Sequence, residues 1–411
     1  MELPFSPRSA SSREVTQATF RAEQVRSIFS GTLEPAFSTF LLLIAVRHFQ
    51  ASAAQKAWLV AGPSVGLMCG SLTVAGADIL RWPVARAVAA LSGGGALCLL
   101  VAALVSEPAA FVAAGTLAGL CTTGATPLMT QVYQDNYPAA RRGSLFSSAF
   151  SIRIACATVA SYGIGQWMTA RQDCASEVVF LFCLCAAGSA LCWTTVPSSP
   201  LQTGSMRRHP LSGWGIVLQD APFRRTLISW MLMGVGNLIM LPLRVELLAR
   251  PQASGLWSAA QIALLTAVIP NLARVSTSRF WGWAFDRMDF FVLRGVLNGG
   301  FALAILAFFS GDSFAWMVVG AVLYGVSGAG GDVVWSLWVT KLAPPERVAD
   351  YMAVHTLLTG IRGVVAPIVA FHAVNRFSFG SIGGFCALLI LLANLVLLPE
   401  MRFRSLKFLK K

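Results

Sequence analysis

The chain has 411 residues, of which 56% are hydrophobic and only 12% charged, with a mean hydropathy of +0.66. A soluble domain carries about a quarter charged residues, so this deficit excludes an ordinary soluble enzyme and places most of the chain against lipid. The net charge of +13 does not imply a nucleic-acid partner, because the basic residues are dispersed between apolar stretches and form no single patch.

Residues 1–24 are polar and basic with no apolar core before a cleavage site, so a short, poorly ordered tail is expected rather than a signal peptide. Twelve apolar segments follow, each near the 20 or so residues that a bilayer crossing needs. The first, 25–46, holds Glu34 between Ser30 and Ser38, three residues on one helical face, and Pro35 interrupts its hydrogen-bond ladder. The second and third cover 57–80 and 84–105. The fourth, 108–133, carries Thr122, Thr126 and Thr130, and the fifth, 145–168, carries Arg153 within snorkelling reach of the surface. The sixth is 177–196. A connection over 197–222 begins Pro/Ser-rich, and an amphipathic surface helix is predicted from Gly213 to Phe223.

The seventh span, 223–248, holds Asn237, with Arg244 and Glu246 where an outer gate pair would sit. The eighth, 258–284, holds Asn271, Arg274 and Ser278, and the ninth, 290–310, holds Arg294 and Asn298. The tenth, 313–340, places Gly328, Asp332 and Ser336 on one stripe, with Trp335 and Trp338 beside them. In the eleventh, 350–373, His355, Thr359 and Arg362 form another stripe. The twelfth is 378–399, and 400–411 is a basic tail.

The connections alternate in charge. Arg81/Arg86, Arg141/Arg142, Arg207/Arg208, Arg287 and Lys341/Arg347 fall on one side, which the excess of positive residues marks as cytoplasmic, together with both termini. The nine cysteines show no metal or disulfide spacing and read as small apolar fillers. No GxxxxGK[ST] loop, metal cluster or nucleophile–base pair occurs, so no cofactor and no enzymatic activity are expected.

The second half repeats the first at a displacement of 206 positions. Gln55 recurs as Gln261, Gly119 as Gly325, Gly124 as Gly330, and Arg141 as Arg347. A duplicated membrane chain is the usual plan of a secondary transporter with one site between its halves. The stretch from Gly282 through Asp286 and Arg287 to Arg294 resembles the loop signature of the major facilitator superfamily. A degenerate copy is Gly76, Asp78 and Arg81, and Pro138…Arg142-Gly143 and Pro344…Arg347 are also similar to that superfamily. The resemblance implies an all-α membrane protein of twelve transmembrane helices in two pseudo-symmetric six-helix bundles, 25–196 and 223–399. It also implies a central cavity lined by spans 1, 4, 7, 10 and 2, 5, 8, 11, which are the spans where the intramembrane polarity is concentrated. In the loop, Gly282, Asp286, Arg287, Asp78 and Arg81 would gate, the glycine by close helix approach.

Ionisable groups at membrane depth cost about 2.5–3.5 kcal/mol each at a helix centre, so those retained point to function. Arg362, Arg274 and Arg153 are read as binding an anionic group, with Asp332, Asn237, Asn271, Thr126 and Trp335 around it. Glu34, Asp332 and His355 are the proton-coupling candidates, since a carboxylate in an apolar cavity can exchange a proton near neutral pH. Bland alternatives stand beside each: a fixed salt bridge for Glu34, a neutralising pair for Asp332, plain packing for His355. The expected function is alternating-access transport of a small organic solute, favouring an organic anion, coupled to protons, by a monomer in a bacterial inner membrane. A proton-driven exporter of amphipathic or cationic compounds is the alternative, and a non-transporting sensor on the same fold the third reading.

Overall fold

The computed structural model describes residues 12–138, 141–171, 173–201, 214–251, 256–310, 313–343 and 348–408. Apart from an isolated bridge between Pro83 and Pro200, the regular structure of these residues is helical. The first half contains α1 (Ser12–Pro35), α2 (Leu41–Arg47), α3 (Ala53–Met68), α4 (Gly70–Ile79), α5 (Val84–Leu104), α6 (Pro108–Gly124), α7 (Thr126–Asn136), α8 (Arg142–Ala170) and α9 (Ala175–Thr194). The short α10 (Trp214–Gln219) leads to the second half. That half contains α11 (Ala221–Ala249), α12 (Ala259–Ala263), α13 (Ile269–Arg287), α14 (Phe290–Phe309), α15 (Phe314–Leu342), α16 (Val348–Ala373) and α17 (Phe379–Phe408).

Among the described residues, ten helices, some made of consecutive elements, are long and apolar enough to cross a membrane, or eleven if the pair over 53–79, bent by 54°, counts as one span. Helix α8 has 29 residues but falls outside that set. It carries Arg153 and a run of serines where the other spans are apolar. Leucines such as Leu72, Leu97, Leu104, Leu191 and Leu303 face outward, as a lipid-facing surface requires.

The boundaries follow from local chemistry. Ser52 and Ser258, one repeat apart, each accept from a glutamine N–H three residues on, and Gln55 and Gln261 each accept from the serine N–H in return. These are two matching capping boxes. Asp220 and Asp289 cap α11 and α14 through Phe223 and Phe291. The repeat also extends to packing. A Cβ at Gly119 would come within 2.9 Å of Pro63 N, and one at Gly325 would run into Pro270 O. Helices α3 and α6 therefore touch backbone to backbone, as do α13 and α15.

Several boundaries differ from expectation. The N-terminal segment is helical from Ser12, not an unstructured tail to residue 24, because it has partners: Thr16 donates to Asn136 O (2.7 Å), and Asn136 Nδ2 donates to Thr19 Oγ1 (2.9 Å) and Pro197 O (2.8 Å). Helix α17 likewise runs past the expected end at 399 through Phe408, and Glu400 there pairs with Arg225 of α11. The surface helix predicted from Gly213 is the six-residue α10. Arg207, Arg208 and the Pro344…Arg347 turn lie outside the described residues.

Within the first half α1 packs on α8 and α9, α3 on α6, and α5 on α6 and α9. Within the second α11 packs on α16 and α17, α13 on α15, and α14 on α15 and α17. The halves meet where α3 lies along α16, where α8 meets α12 and α13, and where α2 meets α11. The start of α1 and the end of α17 mark the termini end of the molecule, and α2, α12 and the last turn of α11 mark the far end.

Candidate functional site

Two interruptions position the site. Pro35 cannot donate to the preceding turn, and the chain passes through a π-helical turn, Ala36–Phe40, before α2. A second π-helical turn, Leu264–Val268, precedes Pro270 at the start of α13. The turns face each other across the halves, and Thr39 and Thr266 share a hydrogen bond of 3.2 Å between their hydroxyls. Single π turns re-aim side chains and recur at functional sites.

Directly beside this contact lies a cavity of about 230 Å³ whose lining includes Glu34, Ser38, Arg244, Asn271, Arg274 and Asp332. Four charges form two ion pairs, one per half. Arg153 Nε donates to Glu34 Oε2 at 2.8 Å, and Arg274 Nε donates to Asp332 Oδ2 at 2.5 Å. The guanidiniums of Arg153 and Arg274 lie 5.8 and 5.7 Å from the Phe150 ring centroid, so one aromatic side chain stands between the two pairs. The Asp332 side chain is 49% exposed, so the pair is wet on one side.

Arg244 is the fifth charge. It is only 6% exposed, its guanidinium lies 4.0 Å from the Tyr324 ring centroid, and its Nε and Nη1 have no hydrogen-bond partner. The two pairs cancel, so this arginine leaves the cavity wall with uncompensated positive charge. From sequence, Arg244 and Glu246 are expected together as an outer gate. Residues two apart on a helix point to nearly opposite faces, and the structure separates them. The signal that finds Arg244 is the stripe Asn237, Leu241, Arg244 at i, i+4, i+7.

Glu246 instead belongs to the closure of the far end. It accepts from Lys56 Nζ across the halves (2.5 Å) and from Arg250 (2.7 Å), and both Lys56 and Glu246 are buried. Arg47 donates across the halves to Leu248 O, Ala249 O and Trp257 O, and Ala260 N donates to Thr169 Oγ1 (2.9 Å). Gly165 lets α8 approach α12 closely, since a Cβ there would sit 2.9 Å from Ala263 Cβ. The cavity lies beneath this far-end closure, since Thr266 on its wall bonds Thr39 of the facing π-helical turn. Outside the seal lies a larger vestibule of about 680 Å³.

Of the residues singled out from sequence, Glu34, Asn271, Arg274 and Asp332 line one cavity and Arg153 joins them through Glu34. Asn237 lines a small neighbouring void that shares Arg244. Arg362 and His355 are buried elsewhere in the second half: Arg362 donates to Trp230 O, and the His355 ring lies 5.1 Å from Trp230 and Trp338 and 5.8 Å from Trp335. Thr126 begins α7 and is not on the cavity wall described here. Among the gating candidates, Asp78 is half-buried, Arg81 lies just past the end of α4 with a left-handed φ of 49°, and Arg287 lies 5.4 Å from the Trp283 ring. The Asp286 side chain lies outside the described residues. The close approach expected at Gly282 is absent, since a Cβ there would meet nothing within 4 Å.

No family model matches the chain, and no curated protein sequence matches it. Solved structures do. The nucleoside transporter NupG superposes with a TM-score of 0.75 at 13% identity, covering 94% of this chain and 98% of that one. A POT family transporter in complex with a thioalcohol-conjugated peptide gives 0.68 at 13% identity, covering 94% and 95%. The inward-open xylose transporter XylE from E. coli gives 0.64 at 14%, covering 94% of each chain. The fold is therefore that of the major facilitator superfamily transporters, in a multi-pass membrane protein.

Proposed function

We propose that the chain is a secondary transporter that moves a small organic anion by alternating access, with Arg244 as the principal anion contact and Asn271 and Arg274 beside it. The observation that carries this reading is the unpaired, buried Arg244 guanidinium on the wall of a cavity whose other charges are already matched. Burying a cation without a partner costs several kcal/mol, and a carboxylate or phosphate on the substrate would offset that cost. The shared fold with nucleoside, sugar and peptide transporters supports transport as the activity, and the cavity's 230 Å³ suits a small solute.

Coupling to protons is assigned to Glu34 and Asp332. Each is held by an arginine in this state, and a substrate anion that recruits Arg274 loosens Asp332, which then takes a proton. On this reading the chain crosses the membrane twelve times, with α8 as the least apolar span, and the excess of basic residues in alternate connections supports cytoplasmic termini, in a bacterial inner membrane. The test is uptake into proteoliposomes. An imposed proton gradient should drive accumulation of organic anions, a protonophore should abolish it, and Arg244→Gln should reduce it at least about tenfold, the loss expected for one charge-assisted contact. Transport of cationic dyes with organic anions inert would replace this reading with the exporter.

A further inference from the structure

The second half contains another set of buried donors that the cavity does not use. Arg294 of α14 is fully buried, and its Nε, Nη1 and Nη2 all lack hydrogen-bond partners. Its guanidinium carbon lies over the Trp230 ring, 3.5 Å from the centroid. Arg362 of α16 reaches the same indole at 5.8 Å, spends one N–H on Trp230 O, and keeps Nε unpaired. His355 Nε2 and the indole nitrogens of Trp230 and Trp338 are likewise buried and unpaired. Among the described residues, no salt bridge joins a carboxylate to either arginine.

Two guanidiniums sharing one indole repel each other, and a cation–π contact satisfies their faces but not their N–H edges. Buried donors without acceptors are rare in folded proteins. A site holding several unpaired donors and two fixed cations, with no carboxylate paired to them among the described residues, has the chemistry of an anion site. We propose that a small inorganic anion of the chloride class binds here, between Arg294 and Arg362, with the Trp338 indole and His355 as further donors.

The size limit follows from the packing. Trp230, Trp338 and His355 close round the cluster, and the Arg362 guanidinium already lies against Gly234, where a Cβ would run into Nη1. A monatomic ion needs only a small parting of two side chains, whereas an organic acid needs a cavity. The site is separate from the transport cavity: Trp230 precedes the cavity residue Leu241 by eleven positions on α11, roughly 16 Å along the axis. The ion ties α14 to α16 and to α11, the helices that pack the second half together, so its effect is on stability rather than on substrate contact.

The test compares thermal melting of the purified full-length protein in sodium chloride and sodium gluconate at equal ionic strength. The wild type is expected to melt several degrees higher in chloride. Arg294→Met should abolish the difference and melt in gluconate at or above the wild type, because it removes a buried unpaired charge. Arg244→Gln should keep the chloride increment, which separates this site from the transport cavity. Equal melting of the wild type in both salts, or an increment lost with Arg244→Gln and kept with Arg294→Met, overturns the proposal. Should Arg294→Met fail to fold, crystals of the wild type grown in bromide decide. An anomalous peak between the two guanidiniums supports the site, and none there contradicts it.

Discussion

Arg244 and Glu34 differ in what their removal should do. Arg244 is buried and unpaired, so Arg244→Gln relieves a desolvation cost while removing the proposed substrate contact. The expected outcome is transport reduced at least about tenfold with a melting temperature equal to or above that of the wild type. Glu34 is partly exposed and paired with Arg153, so Glu34→Gln should cost about 1 kcal/mol or less of stability. It should retain exchange of labelled substrate across the membrane while losing accumulation driven by a proton gradient; unchanged gradient-driven accumulation would remove Glu34 from the coupling. Glu34, Asn271, Arg274 and Asp332 were legible in the sequence because polar residues at helical spacing in an apolar span have one face to share. Arg362 was not, since position along a span gives depth but not the direction in which a side chain points. That direction turned Arg362 into the interior of the second half and Arg244 into the cavity.

At the scale of elements, the far-end seal rests on Lys56, Glu246 and Arg250 together with the tight contact of α8 on α12. Removing one partner from a buried pair costs about 3–5 kcal/mol, enough to move a two-state equilibrium by more than a hundredfold. Glu246→Gln should therefore favour the state that is open at the far end. A cysteine at Thr39, buried beneath the seal, should be alkylated by a membrane-impermeant reagent from the far side in the Glu246→Gln background and protected otherwise. Equal protection in both would show that the seal lies elsewhere. Ten of the twelve expected spans, or eleven with the bent pair over 53–79, are long and apolar enough among the described residues, and the recurrence of Gln55 as Gln261 falls at the two matched capping boxes. The interruptions of the spans were not legible: Pro35 announced a disturbance, but whether the chain kinks or takes a π-helical turn depends on the facing Thr266 and on what packs against it. The start of α1 is hidden for the same reason, because Thr16 and Thr19 are held by a distant partner, Asn136 at the end of α7.

For the whole molecule, the 206-residue displacement seen in the sequence is also a displacement of packing, with Gly119 on Pro63 and Gly325 on Pro270. Gly325→Val places a side chain where Pro270 O already lies, and loss of folded protein is expected; normal yield and melting would show that the α13–α15 contact is looser than described. What the duplication did not convey is asymmetry. The first half contributes one ion pair to the cavity, while the second contributes a pair and the unmatched Arg244, so the excess positive charge sits on one wall. On the proposed reading, selection of the substrate rests on that excess. The most direct measurement is thermal melting of purified wild type and Arg244→Gln against matched panels of organic anions and organic cations. Stabilisation of the wild type by members of the anion panel alone, lost in Arg244→Gln, is the expected result; stabilisation by cations, or by anions equally in both proteins, would contradict it.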